Sequence, residues 1–98
     1  NLHMVIGFVN DKNTDTIMKY MPEKAVYYFV RLSVPRTMDE KELASKAEEY
    51  GLKGHAYENM SDAYNAVKAA ACKDDLVIVT GSNFLVADVF RLLTQVAI

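Results

Sequence analysis

At 98 residues, with a net charge of −2 and hydrophobic and charged fractions of 51% and 24%, the sequence reads as one small globular domain. The faintly acidic balance excludes the basic footprint of a nucleic-acid binder, and no apolar run approaches the about 20 residues that cross a bilayer. A chain of this size buries roughly 60–70% of its unfolded surface, enough for a core without metal or disulfide support.

Leu2–Val9 reads as a buried strand, with Gly7 allowing a neighbour to approach closely. The polar Asn10-Asp11-Lys12-Asn13 stretch is a turn. Thr14–Met21 is a short helix with Ile17, Met18 and Met21 inward, stopped by Pro22. Ala25–Val30, aromatic and β-branched, is a second buried strand. Arg31–Met38 is a loop carrying Ser33-Val34-Pro35-Arg36. Asp39–Tyr50 is an amphipathic helix with Leu43, Ala47 and Tyr50 on one face, a capping-box spacing of Thr37 and Glu40 at its start, and Gly51 at its end. Gly54–Tyr57 is a short third strand, and Ser61–Cys72 an alanine-rich helix capped by Ser61.

The chain is organised around its last unit. Leu76–Thr80 is an apolar, β-branched run that reads as a strand buried on both faces. Gly81-Ser82-Asn83 follows as a turn, and from Phe84 to about Ala97 the apolar spacing is helical, with Val86, Val89, Phe90 and Leu93 on one face. Gly81 suits a turn geometry that other residues resist. Ser82 is placed to cap the helix, and the free N–H groups behind it form a natural seat for a carboxylate or phosphate. Most such turns in parallel α/β domains carry nothing, so this seat and a plain helix cap both stand.

Strand and helix therefore alternate four times along the chain. The expected fold is α/β: a three-layer, Rossmann-like domain whose mainly parallel sheet has strand order 3-2-1-4 and helices on both faces. That order places the switch point between the first and fourth strands, where ligands of open α/β sheets bind. It brings Asn10–Asn13 beside Gly81–Asn83, with Ser33–Arg36 nearby.

Common chemistries are missing from the pattern. There is no G-x-x-x-x-G-K-S/T loop, and the turn after the first strand has no glycine cluster. The second strand ends on Arg31 rather than on the acid that binds a ribose. The third strand reads His55-Ala56-Tyr57, without the aspartate of a phospho-receiver. His3 and His55 have no Cys or carboxylate at metal spacing; His3 reads as a partly exposed strand-end residue and His55 as structural. Asp39, Glu40, Glu42, Glu48 and Glu49 read as a solvated helix face. The single cysteine, Cys72, beside Ala69-Ala70-Ala71, reads as packing, fits a reducing compartment and so a cytoplasmic location. The chain starts at Asn1, carries no signal peptide and enters a strand almost at once. This suggests residues 1–98 are an excised domain whose preceding partner is absent.

Three stretches at the same edge of the sheet carry a resemblance. Val5-Ile-Gly-Phe-Val-Asn-Asp-Lys-Asn13 resembles the start of the C-terminal domain of folylpolyglutamate synthase/dihydrofolate synthase, where an apolar strand and a glycine precede Asp-Lys-Asp. Val34-Pro-Arg36 resembles that family's Pro-Arg loop, and Leu76-Val-Ile-Val-Thr-Gly-Ser-Asn-Phe-Leu-Val-Ala87 its last strand and Gly-Ser-x-x-x-Val-Ala turn. The spacing agrees from about Leu2 to Phe90. The family belongs to the Mur ligase superfamily, and the resemblance implies an enzyme that joins glutamate to a folate or pteroate carboxyl by way of an acyl phosphate. It implies that ATP and Mg2+ sit mainly on a preceding central ATPase domain with a P-loop, and that the C-terminal domain closes over it without catalytic residues or activity of its own.

On that resemblance Lys12, Arg36 and Ser82 are the substrate-binding candidates, supported by Asn10, Asp11, Asn13, Gly81 and Asn83. Lys12 offers a compact charge and Arg36 a planar fork suited to a carboxylate; the plainer readings are a solvated loop lysine and a surface or interface arginine. Asp11 reads as an Asx-turn residue. Asn13 departs from the family's Asp: a cap role survives the change, while the change puts a contact with substrate or metal in question. The competing readings are the equivalent domain of a cell-wall Mur ligase and a stand-alone α/β binding module without catalysis.

Overall fold

The computed structural model describes residues 1–9 and 14–81. In chain order these form β1 (Leu2–Gly7), α1 (Thr14–Lys19), β2 (Val26–Val30), α2 (Glu40–Glu48), β3 (Gly54–Tyr57), α3 (Met60–Ala70) and β4 (Leu76–Gly81). The expected final helix from Phe84, and the turns at 10–13 and 82–83, lie outside the described residues.

The strands pair in parallel as β3-β2-β1-β4. This is the order expected from strict alternation, because right-handed crossovers leave few other ways to close such a sheet. Side chains alternate across the sheet and build two cores. On one face Met4, Ile6, Phe8, Tyr27 and Phe29 meet Met18 of α1 and Leu43 and Ala47 of α2. On the other, Val5, Tyr28 and Val30 meet Met60, Ala63 and Val67 of α3. β1 and β2 are covered on both faces, which is why both read as unbroken apolar runs.

Close backbone approach explains two glycines. A Cβ on Gly7 would stand 2.8 Å from the Val30 carbonyl oxygen and 2.9 Å from Leu32 Cδ2. A Cβ on Gly54 would fall on the carbonyl oxygen of Tyr27, its partner across β2 and β3. Gly51 follows α2 with φ of +77°, the left-handed geometry that ends a helix on glycine.

Several local expectations are corrected. α1 ends at Lys19, and Ile17 is 40% exposed, because the short helix presents only Met18 squarely to the sheet, with Met21 partly buried beyond its end. β2 starts at Val26, not Ala25. α2 is capped by Asp39, whose carboxylate accepts from the Lys41 and Glu42 amides; no capping box forms, since Thr37 Oγ1 instead accepts from Leu32 N at 2.7 Å. α3 is capped by Asn59 rather than Ser61, and ends at Ala70. Cys72 thus falls past the helix and is exposed, not packed. Among the described residues β4 pairs only with β1, and Leu76, Val77 and Ile78 are exposed rather than buried on both faces, Leu76 at 60%. Gly81 closes β4 opposite Gly7 and belongs to the strand, not to the turn.

Candidate functional site

β1, β2 and β4 direct their C-terminal ends, Gly7, Val30 and Gly81, to one edge of the sheet, with Gly7 and Gly81 directly paired. The loop after β2 is fastened there. Met38 N donates to Phe8 O at 2.8 Å, and Val9 bridges Thr37 in antiparallel sense. The β2 loop is thereby tied to the chain leaving β1, the neighbourhood that the strand order predicts.

Within this loop Thr37 N donates to Val34 O at 3.2 Å, closing a β-turn with Pro35 and Arg36 at its centre. Proline sets the dihedral of the first central position, and the absence of any positive φ outside glycine among the described residues makes the turn type I. Arg36 is exposed. Among the described residues it makes no hydrogen bond or ion pair, so its guanidinium is available to a planar anion.

Arg31, at the base of the same loop, is in the opposite state. Its Nε donates to Glu40 Oε1 at 2.8 Å, its Nη2 to Asp39 Oδ1, and its backbone N to Tyr57 O at 3.1 Å. Hydrogen bonding to Glu40, then to Asp39, raises the guanidinium pKa further, while the Glu42 amide first, and Arg31 and the Lys41 amide after it, lower that of Asp39. Glu40 is only 3% exposed, which corrects the reading of it as a solvated helix carboxylate. Sequence reasoning missed this cluster, because its members read separately as an end-of-strand arginine and an acidic first helical turn.

A second missed cluster lies at the other end of β1. His3 is buried, not partly exposed: Nδ1 lies 2.8 Å from the Tyr28 hydroxyl and Nε2 lies 2.9 Å from Asp75 Oδ2. The carboxylate can only accept, so Nε2 donates, and in the neutral ring Nδ1 accepts from Tyr28. The signal was the parallel register that sets Leu2 beside Leu76, which carries Asp75 to the start of β1. His55 is exposed on β3.

Of the residues expected at the site, the structure describes Arg36 and Gly81. Lys12, Ser82, Asn10, Asp11, Asn13 and Asn83 lie outside the described residues. Among the described residues no group of three or more His, Cys, Asp or Glu side chains comes together as a metal site.

The family model described as Mur ligase, glutamate ligase domain, matches residues 1–83. No curated protein matches in sequence. Among solved structures, E. coli FolC in complex with DHPP and ADP is 22% identical with a TM-score of 0.82, covering 100% of this chain and 23% of that one. Bifunctional folylpolyglutamate synthase/dihydrofolate synthase from Yersinia pestis is 26% identical with a TM-score of 0.80, covering 95% and 22%. The same Yersinia pestis enzyme complexed with AMPPNP and a Mn ion is 24% identical with a TM-score of 0.79, covering 96% and 22%. The chain thus spans under a quarter of the length of the structures it resembles. Because the family match runs through most of the sequence, and the solved neighbours share its fold along nearly all of it, the chain belongs to the glutamate ligase domain family of the Mur ligases.

Proposed function

We propose that this chain is the closing, glutamate-side domain of an ATP-dependent folate–glutamate ligase. The observation that carries the reading is Arg36: an exposed guanidinium without a partner among the described residues, held at the tip of a proline turn beside the end of β1. The reaction needs such a group. A folate or pteroate carboxylate takes a phosphoryl group from ATP, and the glutamate amine then attacks the acyl carbon, loses a proton and expels phosphate. The amine must arrive beside the acyl phosphate while its two carboxylates are held apart from the phosphate's charge. A fixed guanidinium binds a carboxylate through two parallel hydrogen bonds and so orients the amine. Lys12 and Ser82 complete the site in this reading, with Asn10, Asp11, Asn13, Gly81 and Asn83 as its supporting loops. ATP and Mg2+ belong to the central ATPase domain of the longer chain, and the enzyme works in the cytoplasm. No helix among the described residues is long and apolar enough to cross a membrane.

The test is steady-state kinetics of Arg36→Ala in the full-length ligase, with each substrate varied in turn. Losing a charge-assisted pair costs roughly 1.5–3 kcal/mol, about 10- to 150-fold in glutamate KM or kcat/KM. ATP and folate constants stay near their starting values. Arg36→Lys recovers only part, since an ammonium has no fork. A fall in kcat with all constants moving together makes Arg36 a brace of domain closure, and no change returns it to the surface.

A further inference from the structure

We propose that Glu40 is a positioning residue for the glutamate site, acting through Arg31 to hold the turn that presents Arg36; this rests on the functional reading above. Glu40 is the first residue of α2 and 3% exposed. A carboxylate that served only the helix dipole would sit in water, where it keeps its hydration. This one is buried against Arg31 Nε, while Nη2 of the same guanidinium reaches Asp39. The two prongs join the first residue after β2 to the cap and first turn of α2, closing the loop at its base. Above the clamp, Leu32 N donates to Thr37 Oγ1 and Met38 N to Phe8 O, so the Val34–Thr37 turn is held at both ends. The two arginines divide the work. Arg31 faces two carboxylates, which leaves it no attraction for a third, and Arg36 is the guanidinium left to bind.

The experiment uses the full-length ligase that carries this domain and combines kinetics with hydrogen exchange read by mass spectrometry. Glu40→Gln keeps the shape and removes the charge. It is expected to raise glutamate KM about 5- to 50-fold with kcat within about twofold, since a displaced binding group weakens one substrate selectively. Exchange across residues 31–39 quickens in the same variant. In the Arg36→Ala background Glu40→Gln adds nothing further to glutamate KM, a non-additivity that a general scaffold role would not produce. Arg31→Lys, which keeps the charge and loses the fork, raises glutamate KM by an intermediate amount and serves as the probe if Glu40→Gln does not fold. The proposal is overturned if Glu40→Gln leaves glutamate KM unchanged, or if its effect multiplies with that of Arg36→Ala. If Arg36→Ala itself does not alter glutamate KM, the functional reading fails, and exchange across 31–39 alone decides whether Glu40 holds the turn.

Discussion

Asp75 gives the domain a definite response to acid. Asp75 accepts from Cys72 N and His3 Nε2, both at 2.9 Å. These donors, the Cys72 amide first, hold its carboxyl well below the usual carboxylate range. A folded-state pKa below the unfolded one means that the contribution is complete above the ordinary value of 3.8 and is lost as pH falls through it toward the folded value. Thermal melts by circular dichroism from neutral pH to pH of about 2 should therefore show the midpoint dropping once the pH passes below about 5. Asp75→Asn should melt lower than the parent at neutral pH and have a flatter acid limb. It will not be level, because Asp39 is also held ionised by the Glu42 amide and Arg31.

The helices and strands depend on a few side chains at their ends. Asn59 accepts from Asp62 N at 2.8 Å and caps α3, so Asn59→Ala costs about 1 kcal/mol, a shift of about 4–8 °C in Tm for a domain this size. Asp39→Ala should lower Tm further, since Asp39 caps α2 with two amides and also holds Arg31. Strand pairing has its own weak point. β3 is a four-residue edge strand, and a methyl on Gly54 would collide with the Tyr27 backbone, whose Cα lies 2.8 Å from the added carbon. β2 is buried and cannot retreat, so Gly54→Ala should cost about 3 kcal/mol or more in denaturant unfolding, and an undiminished midpoint would contradict this packing.

The domain as a whole covers under a quarter of each solved neighbour, and the exposed Arg36 stands in the loop that follows β2. On the function proposed above, the domain presents a substrate-binding group on a rigid sheet and leaves nucleotide to the rest of the longer chain. Isothermal calorimetry of the 98-residue domain with ATP and Mg2+ should give at most millimolar binding, and no ATP turnover should be detectable. A micromolar dissociation constant would relocate the nucleotide site to this domain.

Element order, the parallel sheet and its strand order were legible in the sequence because each rests on local repetition. Apolar runs of strand length, helical spacing and glycines at the joins recur within a few residues, and alternation with right-handed crossovers then admits few arrangements. Arg31–Met38 was legible as a loop, whereas the β-turn at Pro35 and Arg36 within it emerged only with the fold. What the sequence concealed depends on partners distant along the chain. His3 lies 25 residues from Tyr28 and 72 from Asp75, and only the adjacency of β1, β2 and β4 joins them. Glu40 looked like one acid among several until α2, packed against the sheet, turned it toward Arg31. Thr37 and Asp39 could both have capped α2, and the choice fell to Asp39 because the loop needed Thr37 for Leu32. The exposure of Leu76, Val77 and Ile78 is likewise not encoded in the apolar run of β4 itself. Local propensity chooses the elements; which polar groups are buried, and against what, is settled only when those elements pack.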